Sequence, residues 1–206
     1  MARDTGSIVK MSRREGYALH PKAHKALVKR TTKPGQAQNS RMRQKTSQYS
    51  LQLREKQKVK RLYGLLEKQF SNLMKEASRK QGQSGSVLLQ FLEQRADNTV
   101  YRAGFAPSRR AARQLVTHGH FMLNGHRVDI PSIRMKAGDK LTLREHSQQK
   151  SGYFKQLDDI SPAPSETPSW IKVDRKKISV EVTGLPARTD AEPDINEQLI
   201  VEYYSR

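Results

Sequence analysis

The chain contains no cysteine, which excludes disulfides and thiolate metal sites from its chemistry. It also lacks any apolar run as long as a membrane-spanning helix requires. Aromatics make up 6% and apolar residues 34%, so the core is modest and part of the chain's order must come from something other than burial. The first ten residues have no apolar stretch and carry Asp4, so neither a signal nor a transit peptide is expected and the cytoplasm is the expected compartment. Negative charge is scarce too, with 20 Asp and Glu against 39 Lys and Arg, for a net charge of +19. Surfaces that serve only solubility mix both signs. An excess this large suits a polyanion, because neutralising phosphates releases their counterions.

That charge is unevenly placed. Residues 1–80 hold 21 Lys and Arg against 5 Asp and Glu, and residues 95–150 hold 11 against 4. Residues 151–206 reverse the balance, 7 against 10. Two stretches are therefore built to lie on phosphates, and the acidic, apolar-rich terminus is expected to pack on protein.

Residues 1–46 show little apolar periodicity and read as a basic extended arm that orders on a partner. Residues 47–94 read as a helical domain. Leu51, Val59, Leu62 and Tyr63 fall at helical spacing, then Phe70, Leu73, Met74 and Ala77, then Val87, Leu88, Phe91 and Leu92. In residues 95–150, Asp97 opens a short helix closed by Gly104, and Ser108 caps a second. Ala111, Ala112, Leu115 and Val116 give that second helix its apolar stripe, while Arg109, Arg110, Arg113 and Gln114 occupy its other faces. Gly119 stops it, and Asn124-Gly125 marks a hairpin with a type I′ turn. Residues 151–169, rich in Ser, Pro, Gln and Asp, read as a linker with one weak helix. Residues 170–206 read as a C-terminal segment that completes the helical domain, with strands at 178–182 and 199–203 and Trp170 as a packing anchor.

Several strings resemble the family of small-subunit ribosomal protein S-four, in its bacterial form. They are Ser12-Arg13-Arg14-Glu15-Gly16, Lys33-Pro34-Gly35-Gln36, Leu51-Gln52-Leu53-Arg54-Glu55-Lys56-Gln57-Lys58-Val59, Ala111-Ala112-Arg113-Gln114-Leu115-Val116, Val128-Asp129-Ile130-Pro131-Ser132 and Ile195-Asn196-Glu197-Gln198-Leu199-Ile200-Val201-Glu202. Together they cover nearly the whole chain. The resemblance implies an α+β fold, in which a helical domain accompanies a module of two helices on a small twisted antiparallel sheet. It implies a non-enzymatic primary binder of small-subunit rRNA that nucleates assembly of the 5′ domain, lines the mRNA entry channel, touches ribosomal protein S-five through its second domain and contributes to translational accuracy. Many relatives carry a cysteine zinc cluster near the start. Here Val9 and Ser12 stand at matching places, so no metal and no cofactor is expected. Ala96 replaces the family's usual leucine, and Gln36-Ala37-Gln38 replaces a histidine-bearing turn.

Expected rRNA contacts are Arg13, Arg14, Lys56, Lys58, Lys60, Arg61, Arg109, Arg110, Arg113, Gln114, His118, His120, Asn124 and Arg127. Arg109, Arg110 and Arg113 carry the most weight, since no acid sits one turn away to pair with them. Arg41, Arg43 and Lys45 match the family's basic loop at the mRNA entry. Two other readings stay open from the residues alone: an RNA-modifying or tRNA-charging enzyme that borrows the same module, and a helix-turn-helix DNA repressor. The first needs a catalytic domain and the second a dimer face. Neither is evident, and no homo-oligomer or membrane association is expected.

Overall fold

Ser47 adopts an extended conformation and its hydroxyl accepts from the Ser50 N–H, which starts helix α3 (Gln48–Leu62). The face that α3 turns inward keeps Val59 and Leu62 of the apolar pattern read from the sequence, with Tyr63 buried just beyond, but takes in polar residues in place of Leu51. Leu51 is 45% exposed, whereas Gln52, Lys56, Val59 and Leu62 are buried at helical spacing. Such a polar inner face is tolerable only if it is paired. Gln52 donates to Glu202 (2.9 Å) and Lys56 to Glu67 (2.6 Å). The computed structural model describes residues 4–30, 32–35, 46–164 and 166–205, and it divides into two units, Met1–Leu88 with Asp194–Arg206, and Leu89–Pro193.

In the first unit, α1 (Ile8–Glu15) and α2 (His24–Lys29) precede α3, and α4 (Glu67–Ser78) follows with Phe70, Met74 and Ala77 buried. Within the described part of residues 1–46, Ile8–Glu15 and His24–Lys29 are thus helical where an extended arm is expected. Ser12 is buried and its hydroxyl accepts from the Leu19 N–H, while Arg13 donates to the Thr32 carbonyl (2.9 Å). Glu15 anchors α1 on α3 by pairing with Arg54 (3.2 Å) and Arg61. The last helix, α11 (Glu197–Tyr204), replaces the strand expected at 199–203 and packs on α3. Asn196 caps it, accepting from Gln198 and Leu199, and Ile195 and Ile200, both buried, occupy the positions of a hydrophobic staple. Those end signals outweigh the β preference of Leu199-Ile200-Val201.

Helix α5 (Ser84–Glu93) leads into the second unit, where α6 (Ala96–Arg102) and α7 (Arg109–Thr117) pack together. Five antiparallel strands follow the order β2-β1-β3-β5-β4, formed by β1 (Phe121–Leu123), β2 (His126–Val128), β3 (Lys140–Leu143), β4 (Ile171–Asp174) and β5 (Ser179–Val182). Asn124 and Gly125, at φ 50° and 85°, form the tight β1–β2 turn, since both central positions of this turn type need positive φ. The α+β architecture thus follows the expectation. The second unit runs from Leu89 through Pro193, so it takes in the expected module at 95–150 together with the chain that follows it. β5 joins the sheet by pairing Val180 with Leu141, so these strands extend the module and are not a separate segment. After α8 (Glu145–Lys150), the expected linker contains α9 (Gly152–Lys155) and α10 (Leu157–Ile160), and it sends Phe154 and Leu157 into the core beside Phe105, Phe121 and Trp170.

Candidate nucleic-acid interface

Helix α7 starts where the Ser108 hydroxyl accepts from the Ala111 N–H (3.3 Å), and its apolar stripe buries Ala112 and Val116. That seating sends its cations two ways. Arg110, Gln114 and His118, each four residues from the next, form one exposed stripe along the outer face. Arg109 and Arg113 turn toward the body of the unit. Arg109 donates to Asn98 Oδ1 and Glu192 Oε1, both at 2.9 Å, and Arg113 lies 3.6 Å from Asp97. The acidic partners absent one turn away within α7 are supplied to Arg109 and Arg113 from elsewhere in the chain.

Arg127 on β2 extends the exposed stripe. Its guanidinium lies over Gly119, and a Cβ there would sit 2.5 Å from its Nε. Gly119 also holds φ 71°, so this position needs glycine twice over. His120 points inward instead. Its Nδ1 lies 3.0 Å from the Ser147 hydroxyl and its ring packs edge-on against Phe154 at 5.5 Å. Burial, with His118 adding to it, holds the imidazole below its ordinary value. Asn124 is occupied by the hairpin, donating to Asp139 (2.9 Å) and accepting from the Lys140 N–H (2.8 Å).

The α3 cations read as rRNA contacts are largely committed to protein. Lys56 is 3% exposed, bound to Glu67, with its ammonium 4.3 Å from the centre of the Tyr203 ring. It does not reach the surface, which corrects its assignment. Burial pushes the Glu67 carboxyl up, but hydrogen bonds from Lys56, Lys60 and Tyr204 outweigh it and leave the group below its ordinary range. Lys58 donates to the Asp194 carbonyl (2.7 Å) and pairs with Glu55 (2.8 Å), and Lys60 pairs with Glu67 (3.0 Å). Arg61 pairs with Glu15, whose carboxyl burial holds above its ordinary value against Arg54 and Arg61. Arg61 also lines a cavity of about 350 Å³ with Lys10 and Arg14, three cations around a space an anion could enter. Arg41, Arg43 and Lys45 lie outside the described residues.

Sequence reasoning missed the buried charge network beneath α7. Arg95 donates to both oxygens of Asp97 (3.0 and 2.9 Å), and Arg102 donates to both oxygens of Glu93 (3.0 and 2.9 Å). Nothing local could have revealed the Arg109–Glu192 pair, whose members stand 83 residues apart. Among the described residues no group of three or more His, Cys, Asp or Glu could hold a metal ion, and no helix is long and apolar enough to cross a membrane. What the second unit offers is an exposed face of arginine, amide and imidazole on α7 and β2, groups whose chemistry suits phosphate oxygens.

Comparison with known proteins finds two consecutive family matches along the chain. Residues 3–93 match the model of the ribosomal protein S4/S9 N-terminal domain, and residues 94–141 match the S4 domain. The chain is 48% identical to small ribosomal subunit protein uS4 of Chlorobaculum tepidum and 49% identical to that of Chlorobium limicola, over the full length of both chains in each case. It is 46% identical to that of Roseiflexus sp. strain RS-1, again over the full length of both. The chain therefore belongs to the uS4 family of small ribosomal subunit proteins, a structural and non-enzymatic family.

Proposed function

We propose that this chain is an rRNA-binding constituent of the small ribosomal subunit in the cytoplasm, acting by binding alone. The observation that carries this reading is the outward stripe of Arg110, Gln114 and His118 on α7, continued by Arg127. These groups lie on a scaffold of helices and sheet that holds them in fixed positions. Contacts of this kind position a protein on phosphates without reading bases, so the RNA is recognised by the shape of a folded junction and by its 2′-hydroxyls. The names of the full-length relatives supply the setting.

The finer reading is that the chain binds the 5′ domain of small-subunit rRNA early and holds it for later proteins. The surplus charge of residues 1–80 supports a second RNA contact from the first unit, through Arg13 and through the cavity lined by Lys10, Arg14 and Arg61. Arg41, Arg43 and Lys45 are assigned to incoming mRNA, and the second unit to ribosomal protein S-five, a contact that would affect accuracy. The test is reconstitution: the chain is expected to assemble on a 5′-domain rRNA transcript and to sediment with small subunits through a high-salt wash. Equal retention by a random duplex of the same length would overturn shape recognition.

A further inference from the structure

The guanidinium of Arg109, the first residue of α7, is held on three sides. Its Nε donates to Asn98 Oδ1 (2.9 Å), its plane lies 4.6 Å from the centre of the Tyr101 ring, and its Nη2 donates to Glu192 Oε1 (2.9 Å). The Asn98 side is rigid. Asn98 is 2% exposed, and its amide donates to the Glu93 carbonyl (3.0 Å) and carboxylate (2.7 Å). Glu93 is fully buried and is itself gripped through both oxygens by Arg102.

Glu192 is a different kind of partner. Its side chain is 22% exposed, and the same Oε1 lies 3.7 Å from Arg102 Nη2. It follows the turn at Arg188–Asp190, on a backbone pinned by buried Ala191 and by a hydrogen bond from Arg188 to the Glu192 carbonyl (3.4 Å). Releasing its carboxylate therefore requires side-chain rotation only. The charges in this cluster balance in pairs, with Glu93 neutralising Arg102 and Glu192 neutralising Arg109. A phosphate oxygen offers these donors the same charge and acceptor geometry as a carboxylate.

We propose that the anion position between Arg102 and Arg109, filled in this structure by Glu192, is a subsite for an RNA backbone phosphate, and that Glu192 is an internal competitor displaced when RNA binds. The inference rests on the reading that α7 faces RNA. Asn98 and Tyr101 keep Arg109 aimed at the same point after the carboxylate leaves, so the phosphate meets a preorganised donor. A partly exposed ion pair is a weak competitor, and it lowers RNA affinity by about two- to fivefold without blocking binding. Sequences that cannot place a phosphate at this point gain nothing from displacing Glu192, so the competitor favours the correctly shaped junction.

The test measures binding of the full chain to a 5′-domain rRNA fragment at fixed salt, using wild type, Glu192→Gln, Arg109→Gln, the Glu192→Gln/Arg109→Gln double variant, Arg110→Gln on the outer face of α7, and Glu181→Gln, which removes an exposed acid from β5. Glu192→Gln is expected to bind about two- to fivefold tighter, beyond any gain from Glu181→Gln, with the gain absent in the Arg109→Gln background. Glu192→Ala, which leaves no side-chain acceptor at this position, is expected to give a gain of the same sign, and a loss there would overturn the proposal. An effect no larger than that of Glu181→Gln, a loss of affinity, or a gain that survives Arg109→Gln would overturn the proposal. Failure of the wild-type chain to bind would overturn it together with the RNA reading. Binding that responds to Arg110→Gln but not to Glu192→Gln would overturn this inference alone.

Discussion

Asp97→Ala removes the carboxylate that links α6 to Arg95 and to Arg113 of α7. Its Oδ1 accepts from Arg95 Nε and from the Asn98 N–H, each at 3.0 Å, and its Oδ2 accepts from Arg95 Nη2 at 2.9 Å and faces Arg113 at 3.6 Å. Arg95 and Asp97 are both 5% exposed, so the variant leaves a guanidinium in the interior without its anion. Removing one partner of a buried pair costs about 3–5 kcal/mol, whereas an exposed pair contributes below about 1 kcal/mol. With a urea dependence of about 2 kcal/mol/M, a loss of about 4 kcal/mol lowers the unfolding midpoint by roughly 2 M. Trp170, the single tryptophan, is 2% exposed in the core of the same unit and reports the transition by fluorescence. Asp97→Asn, which keeps one acceptor, should fall between the two. A midpoint lowered by less than about 0.5 M in the alanine variant would show that the pair does not hold α7 in place.

Gly119→Ala forces a side chain into a left-handed conformation and against Arg127, so it should cost about 1–2 kcal/mol in urea unfolding and weaken RNA binding by moving that arginine. Unchanged stability and affinity together would contradict the packing of Arg127 over Gly119. His120 is held below its ordinary value near 6.5, so the unfolded chain takes up the proton more readily than the folded one. The stability that comes from keeping it neutral is complete above that value and declines as pH falls through and below it. Comparing urea midpoints at pH 7.5 and 5.5 tests this, with the difference expected to shrink in His120→Asn. An identical difference in both chains would refute the assignment.

The parts of this fold that were legible in the sequence are those set by local chemistry. Ser108 as a cap, Gly119 as a stop and Asn124-Gly125 as a turn each act through their own backbone, and all stand where the sequence put them. The misread elements depend on distant partners. Residues 8–15 lack a long apolar pattern, and it is the buried carboxylate of Glu15 on Arg54 and Arg61 that docks them as a helix. Leu199-Ile200-Val201 favours a strand by composition, but the Asn196 cap and the α3 surface make it helical. The candidate site divides the same way. The outward stripe follows from helical spacing alone, whereas the roles of Arg109, Arg113 and Lys56 were set by Glu192, Asp97, Glu67 and Tyr203, whose proximity no local pattern encodes.

The phosphate-binding role of that outward stripe is tested most directly by the salt dependence of binding to a 5′-domain rRNA fragment, comparing wild type with Arg110→Gln/Arg127→Gln. Both side chains are exposed, so the fold should be unaffected. Each phosphate contact contributes roughly 0.7–0.9 to the slope of log affinity against log salt. Loss of two contacts should therefore flatten the slope by about 1.5 and weaken binding at every salt concentration. An unchanged slope and affinity in the double variant would contradict the assignment of this face to RNA.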